Sequence, residues 1–411
     1  MKFAPMINSL LENDAYKFSM GQVYFMKHST DEVTWTFKCR NENVKFTDEM
    51  VQEIKDQIKH YCTLRYTREE LEFLRGFGWL KDSYINYLKF WHPVYENIFI
   101  TKEGECGLAI EAKGNLLETS PYETPILAIV NETYFRMAYD YDKLFNSYKE
   151  RFEAKVKDIG PDGELCLASF SEFGFRRRLS AEAQEYAVQK FVELKNNKML
   201  GSSDFVGTSN VYLAMKYHTK AVGTMAHEYI MSVGQGNPRH DKAYANFYAL
   251  RDWVEVYGTK NGIALTDTIG TDVFLLDFDD TYANLFSGVR HDSGDPFAWG
   301  DKMIAHYEKL GINPKTKTLL FSDSLDFKRA DALYRYFKDK IHVAFGIGTY
   351  ITNDTEAGAL NIVMKITECN GDDVAKLSDV EGKGTCKNER YIRFLRRCID
   401  FRMNREGGQT P

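Results

Sequence analysis

No surplus of basic charge runs through this chain. Its 53 lysines and arginines are outnumbered by 59 aspartates and glutamates, a formal net charge of −6. That excludes a protein that gathers nucleic-acid backbone over its surface, while leaving room for a local basic pocket. No run of 18 apolar residues occurs, and the start, MKFAPMINSLLENDAY, reaches charge too early for a signal peptide. Neither a membrane span nor secretion is therefore expected, and the expected compartment is the cytoplasm. The seven cysteines are odd in number and scattered, with no C-x-x-C pair, which excludes a disulfide scaffold or a zinc ribbon. Internal repeats, low-complexity segments, G-x-G-x-x-G and Walker sequences are all missing. What remains is 411 residues, 44% hydrophobic and 27% charged. This is an ordinary globular composition, long enough for a large core and two domains.

The first 125 residues are rich in aromatics and mix strands with helices. Glu32 to Arg40 alternates polar and apolar, the pattern of a half-buried strand. Tyr66 to Phe77 reads as a helix opened by a capping box at Thr67-Arg68-Glu69-Glu70. The last residues, 406–411, read as a frayed end.

From about residue 165 a different rhythm sets in. Short apolar runs are followed by small or polar residues and then a helical stretch. Eight such runs occur: Leu165–Ser169, Asp204–Gly207, Ala221–Met225, Ile263–Thr266, Ser287–Arg290, Thr318–Phe321, His342–Phe345 and Asn361–Lys365. Repeated strand–turn–helix units favour a parallel sheet, and about eight of them a closed or nearly closed α/β barrel. In such a barrel the chemistry collects at the carboxyl ends of the strands. Seven of those ends read SEFGFRRR, GTSN, GTMAHE, TDT, RHDSGD, SDS and GIGT.

Each end admits more than one reading. SEFGFRRR sets two aromatic rings beside three arginines, which suits a flat anionic ring or equally a helix start with a solvated basic face. GTSN suits an anion or simply a helix cap. His227 with Glu228 stands at a junction that can receive phosphate, although a lone histidine is more often structural. Gly346 and Gly348 allow close backbone approach to a phosphate, with Thr349 adding a hydroxyl.

Two acidic clusters compete for the chemistry. Asp277-Phe278-Asp279-Asp280-Thr281 has the spacing of an aspartyl-phosphate phosphatase, with Asp277 as nucleophile and Asp279 as acid/base. The favoured reading is a helix over Asp272–Ser287 whose apolar stripe is Val273, Leu276, Tyr282, Leu285 and Phe286. The second cluster, Arg290-His291-Asp292-Ser293-Gly294-Asp295, is a charged turn directly after a strand. An aspartate there can bind ribose hydroxyls, steady a developing cation or hold Mg²⁺ through water.

Nine stretches, in order, carry a resemblance: LLENDAYKFSM, SEFGFRRRLS, GTSNVYLAMKY, GTMAHEYI, ALTDTIGTDVF, GVRHDSGDPFAWGDKMIAHYEKLGI, TLLFSDSLD, FGIGTYITND and LNIVMKITECNG. Together they cover residues from about 10 to 400, and the chain resembles the nicotinate phosphoribosyltransferase family. The resemblance implies an irregular (β/α) barrel of the type II phosphoribosyltransferase kind over residues 126–365. It also implies a smaller α+β domain from residues 1–125 with about 366–411.

The implied reaction, part of NAD biosynthesis and salvage, joins nicotinate to 5-phosphoribosyl-1-pyrophosphate (PRPP), releasing nicotinate mononucleotide and pyrophosphate. It needs Mg²⁺, with ATP hydrolysed alongside as co-substrate. The same resemblance assigns Phe173 and Tyr16 to the two faces of the pyridine, Arg176 as the nearby cation and His227 as a phosphohistidine. Ser209 replaces the aspartate of nicotinamide-using relatives, where a carboxylate would repel nicotinate. Arg290, Asp292, Ser293 and Asp323 match ribose and phosphate contacts, and Gly346, Gly348 and Thr349 the 5′-phosphate cradle. Asp292 is also placed to steady the developing cation. Arg40 and Lys365 match basic residues at the phosphate end, while the resemblance leaves the match of Lys376 and Lys383 to phosphate contacts open. Asp14 and Tyr16 match residues that a homodimer lends to the neighbouring active site. No residue is assigned as a direct metal ligand. The alternatives are the phosphatase and a catalytically silent metabolite-binding protein.

Overall fold

The computed structural model describes residues 1–379, 384, 386 and 388–406, so Lys383 and residues 407–411 lie outside the described residues. Twelve strands occur among them: β1 (Glu32–Cys39), β2 (Ile98–Thr101), β3 (Ala109–Asn115), β4 (Ser169–Glu172), β5 (Asp204–Thr208), β6 (Lys220–Ala221), β7 (Ile263–Leu265), β8 (Gly288–His291), β9 (Thr318–Phe321), β10 (His342–Ile347), β11 (Ile362–Cys369) and β12 (Asp372–Asp373). They form two sheets. One is antiparallel, in the order β12-β11-β1-β3-β2; the other is parallel, in the order β6-β5-β4-β10-β9-β8-β7.

The antiparallel sheet follows from period-two burial. Val33, Trp35 and Phe37 of β1 point into the core, and so do Ile362, Met364 and Ile366 of β11. Thr36 stands opposite Lys365 on the other face. The expected strand at Asn361–Lys365 is therefore real but belongs to this sheet, and seven strands, not eight, make the parallel one. Apolar runs of the same length fit either sheet, so the choice is made by partners far away in sequence.

In the parallel sheet the outermost strands are β6 and β7. Beyond β6 the chain leaves the ladder at Gly223 (φ 155°), shortening the expected Ala221–Met225 strand to two residues. It then turns toward the opposite edge, where the Thr224 hydroxyl donates to the Ile263 carbonyl at 2.8 Å. The curl is thus bridged by a side chain where a complete barrel would have a strand pair.

Helices behave as their caps dictate. The capping box at Thr67 forms with Glu70 and opens a helix over Arg68–Arg75. The expected single helix over Asp272–Ser287 is two, Thr271–Asp277 and Asp280–Leu285. The Asp279 side chain caps the second by accepting from the Tyr282 N–H at 3.1 Å, which breaks the first at Phe278. The buried face is consequently Val273, Phe274, Asp277, Phe278, Tyr282, Ala283 and Phe286, with Leu276 and Leu285 only half-buried. Asp277 faces inward and grips Arg402 of the C-terminal helix Glu389–Glu406 at 2.6 and 3.0 Å. No described helix is long and apolar enough to cross a membrane.

His28 pins the first helix to the barrel layer. It follows the helix Ala15–Lys27, and its ring nitrogens lie 3.0 Å from Asp31 and 3.0 Å from Asp252. Burial opposes its charge, but the hydrogen bonds that the ring donates to Asp252 and Asp31 win and raise its pKa. Its contribution to stability is therefore full below the unfolded-state pKa of about 6.5 and is lost as pH rises through the raised folded value. His28→Gln should lower the thermal midpoint more at pH 5.5 than at pH 9, as scanning calorimetry can measure. An equal drop at both would contradict the ionised bridge.

Candidate active site

The carboxyl ends of the parallel strands converge on a shared set of side chains. Glu172, the last residue of β4, is fully buried and accepts from the Gly174 N–H, from Thr208 Oγ1 at 2.6 Å and from Gln184 Nε2 at 2.9 Å. Burial pushes its carboxyl up to about 7. It ties the turn after β4 to the end of β5, a role with no sequence signal beyond its place in SEFGFRRR. Phe173 follows, its N–H donating to Ile347 O at 2.8 Å. A Cβ on Gly346 would stand 2.4 Å from the Phe173 ring, so glycine is required for the ring to lie against the end of β10. At Gly348 a Cβ would meet nothing nearer than 3.5 Å, and Thr349 opens the short helix Thr349–Thr352.

Only part of SEFGFRRR faces the site. Phe175 is in the core, and Arg178 is buried on Glu12 (3.0 Å) and the Met6 carbonyl (2.8 Å). Arg176 and Arg177 remain partly exposed. Burial, then the charge of Arg176, presses the pKa of Arg177 down to about 10, with Arg40 adding further repulsion. Arg40 itself, just past β1, is half-buried and donates its backbone N–H to Asn361 O at 2.9 Å.

Asp14 and Tyr16 arrive from the amino-terminal segment of the same chain. Asp14 bridges to Asn210 as an isolated antiparallel pair, and the Ala15 N–H donates to Ser209 O at 2.8 Å. The Ser209 hydroxyl donates to Asp14 Oδ1 at 2.5 Å, while Arg176 Nε lies 3.8 Å from Asp14 Oδ2. Tyr16 is buried, and its backbone nitrogen fills the space a Gly223 side chain would take. Within the chain, Asp14 and Tyr16 thus stand beside Ser209, Asn210 and Gly223.

His227 centres the second group. Its Nδ1 is 3.0 Å from Thr268 Oγ1, and its Nε2 is 2.9 Å from Asp292 Oδ2, 2.8 Å from Lys376 Nζ and 3.6 Å from Asp267 Oδ1. Lys376 also reaches Asp267 at 3.1 Å and Asp292 at 3.6 Å. Burial, reinforced by Lys376, pushes the imidazole down to about 4, so it is neutral at physiological pH. Burial alone would raise Asp292, but the His227 hydrogen bond and the Lys376 charge hold it well below the usual carboxylate range. Ser293 donates to Asp267 at 2.5 Å, and Ser322 to Asp292 at 3.1 Å. Asp292 thus answers to His227 and Lys376. Arg290 donates to the Met225 carbonyl at 2.9 Å, and Asp323 lies on the half-exposed turn after β9.

Ligand atoms of His227, Asp267 and Asp292 fall within 4.8 Å of one another, a spacing that a cation can bridge. The Lys376 ammonium already sits among them, so this set does not fit a metal while the lysine is in place. Asp267, Thr268 and Lys376 had no role assigned from sequence. TDT was visible as a strand end, but Lys376 lies past β12 in a segment with no such signal.

Lys365 belongs with a third group. Its ammonium is 3.3 Å from Glu123 Oε1, the oxygen that Arg176 approaches at 3.4 Å, and Lys17 takes Glu123 Oε2 at 2.8 Å. Lys17 also pairs with Glu228, which accepts from Ser120 Oγ at 2.6 Å.

A curled parallel sheet with basic, hydroxyl and imidazole groups at its carboxyl edge defines an α/β barrel-class enzyme with its site at the strand ends. The family model for the nicotinate phosphoribosyltransferase (NAPRTase) family matches residues 168–402, and that for the NAPRTase N-terminal domain matches residues 11–131. The chain belongs to the nicotinate phosphoribosyltransferase family. Among its relatives, the nicotinate phosphoribosyltransferase of Chromobacterium violaceum is 41% identical over 402 residues, covering 96% of this chain and 97% of that one. That of Acinetobacter baumannii is 40% identical over 409 residues, covering 97% and 98%. Two crystal structures of nicotinate phosphoribosyltransferases superimpose on it. The one from Porphyromonas gingivalis has a TM-score of 0.83 at 34% identity, covering 96% of this chain and 100% of that one. The one from Vibrio cholerae has a TM-score of 0.84 at 34% identity, covering 97% and 95%.

Proposed function

We infer that this chain joins nicotinate to PRPP, giving nicotinate mononucleotide and pyrophosphate, with ATP hydrolysis coupled through His227. The observation that carries the reading is that Ser209 and Arg176 approach one carboxylate, that of Asp14, from two sides. Arg176 keeps further N–H donors that suit the carboxylate of nicotinate, and Ser209, its single proton given to Asp14, brings no negative charge of its own to the site. Phe173, held against Gly346, offers a ring face for the pyridine, with buried Tyr16 the candidate for the opposite face.

The pyridine nitrogen carries its own lone pair, so the chain's task is to align it behind the ribose C1. Gly346, Gly348 and Thr349 are suited to the 5′-phosphate, with Arg290, Ser293, Asp323 and Arg40 as candidate ribose and phosphate contacts. Mg²⁺ is proposed to come with the pyrophosphate and offset its charge, since the His227 cluster is closed by Lys376. At His227 a phosphoryl group on Nε2 would face two carboxylates, whereas Nδ1 faces a hydroxyl, so Nδ1 is the nitrogen that can take it. We further propose a cytoplasmic homodimer. Sedimentation would test the dimer, and a monomer at micromolar concentration would contradict it.

Incubation with nicotinate, PRPP, ATP and Mg²⁺ should yield nicotinate mononucleotide by mass spectrometry. Binding of nicotinate without product would instead indicate a silent binding protein. Ser209→Asp would set a carboxylate against Asp14 and against the substrate. A loss of about 1.4 kcal/mol in binding already raises KM tenfold, so a rise of at least that size for nicotinate is expected. Unchanged nicotinate kinetics would show that position 209 does not read the acid.

A further inference from the structure

The short helix Thr349–Thr352 is a single turn, so its carbonyls must find partners elsewhere. Thr349 O is met locally, by the Asn353 N–H at 2.8 Å. Thr352 O accepts from the Leu179 N–H at 2.9 Å, beyond the turn after β4. The other two are met by side chains of one remote helix, Tyr141–Lys157. From it the Lys155 ammonium donates to Tyr350 O, and the Tyr148 hydroxyl lies 2.9 Å from both Ile351 O and Ala183 O. Arg151 donates to Asp354 O at 3.2 Å and to Asp354 Oδ1 at 2.6 Å, while Lys155 takes Asp354 Oδ2 at 2.9 Å.

Tyr148, Arg151 and Lys155 follow the spacing that sets residues on one face of a helix. Tyr148 is fully buried, and the Lys155 side chain is 6% exposed. Burial presses the Lys155 ammonium down to about 8 against the opposing pull of Asp354. Its cation also lies 4.1 Å from the Tyr350 ring centroid. A buried ammonium costs free energy unless it is paired and hydrogen-bonded, and the partners that hold this one belong to Tyr350 and Asp354. Directly before them come Gly348 and Thr349. Gly348 O closes the same turn by accepting from the Ile351 N–H at 2.9 Å. Any shift of the carbonyls held by the helix therefore carries Gly348 and Thr349 with it.

We propose that Tyr148, Arg151 and Lys155 are positioning residues for the 5′-phosphate end of PRPP, one helix face holding residues 350–354 so that Gly348 and Thr349 keep their places. This rests on the reading of the chain as a PRPP-using enzyme whose 5′-phosphate lies in that turn. The three act through the groups of Tyr350, Ile351 and Asp354 rather than on the substrate. Hydrogen bonds to a phosphate weaken steeply with distance and angle, so a displaced turn loses affinity at this end of PRPP alone. Tyr148 and Lys155 carry the larger part, because the Arg151 side chain is 48% exposed and its ion pair is weakened by solvent.

The test follows nicotinate mononucleotide formation in wild type, Lys155→Met and Tyr148→Phe, with ribose 5-phosphate or pyrophosphate competing against PRPP. Ribose 5-phosphate carries the 5′-phosphate end of PRPP, and pyrophosphate the opposite end. The inhibition constant of ribose 5-phosphate and the KM for PRPP should both rise, about tenfold in Lys155→Met and about threefold in Tyr148→Phe. The inhibition constant of pyrophosphate and the KM for nicotinate should stay at their wild-type values. Equal rises for the two competitors would reduce the helix face to a structural role and overturn the proposal, as would unchanged constants for both or a rise confined to pyrophosphate. Tyr148→Phe, which removes one hydroxyl and keeps the ring, decides alone should Lys155→Met fail to fold. Absence of product from folded wild type would overturn the reading of the chain as a PRPP-using enzyme, a result distinct from any of these.

Discussion

Replacing His227 by alanine is expected to abolish labelling of the protein by γ-phosphate-labelled ATP and to bring the ATP stimulation of nicotinate mononucleotide synthesis down to none. A slow, ATP-independent transfer should persist. The imidazole is neutral, pushed down to about 4 chiefly by burial, so its lone pair is available for phosphoryl attack without prior deprotonation. In that step the nitrogen forms a bond to the γ-phosphorus, the bridging P–O bond breaks, and ADP leaves with the electron pair. Nothing in the glycosyl transfer requires this ring, because the substrate's own nitrogen attacks the ribose. Removing a neutral group also leaves Lys376 paired with Asp267 and Asp292, so the fold should survive. Phosphohistidine is acid-labile, and mass spectrometry at neutral pH can follow it. Undiminished ATP stimulation in His227→Ala would remove the residue from this role.

Asp277→Ala should markedly destabilise the anchoring of the C-terminal helix. Arg402, 3% exposed, donates two hydrogen bonds to Asp277, one to the Ala243 carbonyl and one to Glu406. Its guanidinium also lies 3.7 Å from the Tyr244 ring centroid. Deleting the carboxylate strands a buried charge, which costs about 3–5 kcal/mol, whereas replacing both partners by apolar residues of similar volume costs much less. Urea denaturation should show a lower midpoint for Asp277→Ala and a partial recovery for Asp277→Leu with Arg402→Met, at unchanged slope. The result matters for function because Asp277 was the nucleophile of the phosphatase alternative. A residue so placed holds a helix, and Asp277→Ala with wild-type stability would reopen that alternative.

The strand ends were legible in the sequence because a strand–turn–helix rhythm repeats and each turn carries polar residues. The limits were of two physical kinds. Short elements were misjudged where one residue changes the local geometry, as Asp279 does by capping a second helix and Gly223 by leaving the ladder. Long-range partners were invisible. Glu123 meets Lys17, Arg176 and Lys365, and Lys376 meets His227 across 149 residues, and no local period records such meetings. Arg178 misled in the opposite direction, since a run of three arginines looks solvated while one of them is buried on Glu12. Gly346 was read as room for a phosphate, whereas what the structure shows there is the Phe173 ring, which a side chain would displace.

The deciding measurement is pyrophosphate release from purified protein, PRPP and Mg²⁺ with nicotinate or nicotinamide as acceptor, each with and without ATP. Release with nicotinate should lie well above that with nicotinamide, with a further increase with ATP for wild type but not for His227→Ala. Equal release with the two acceptors, or none with either from folded protein, would contradict it.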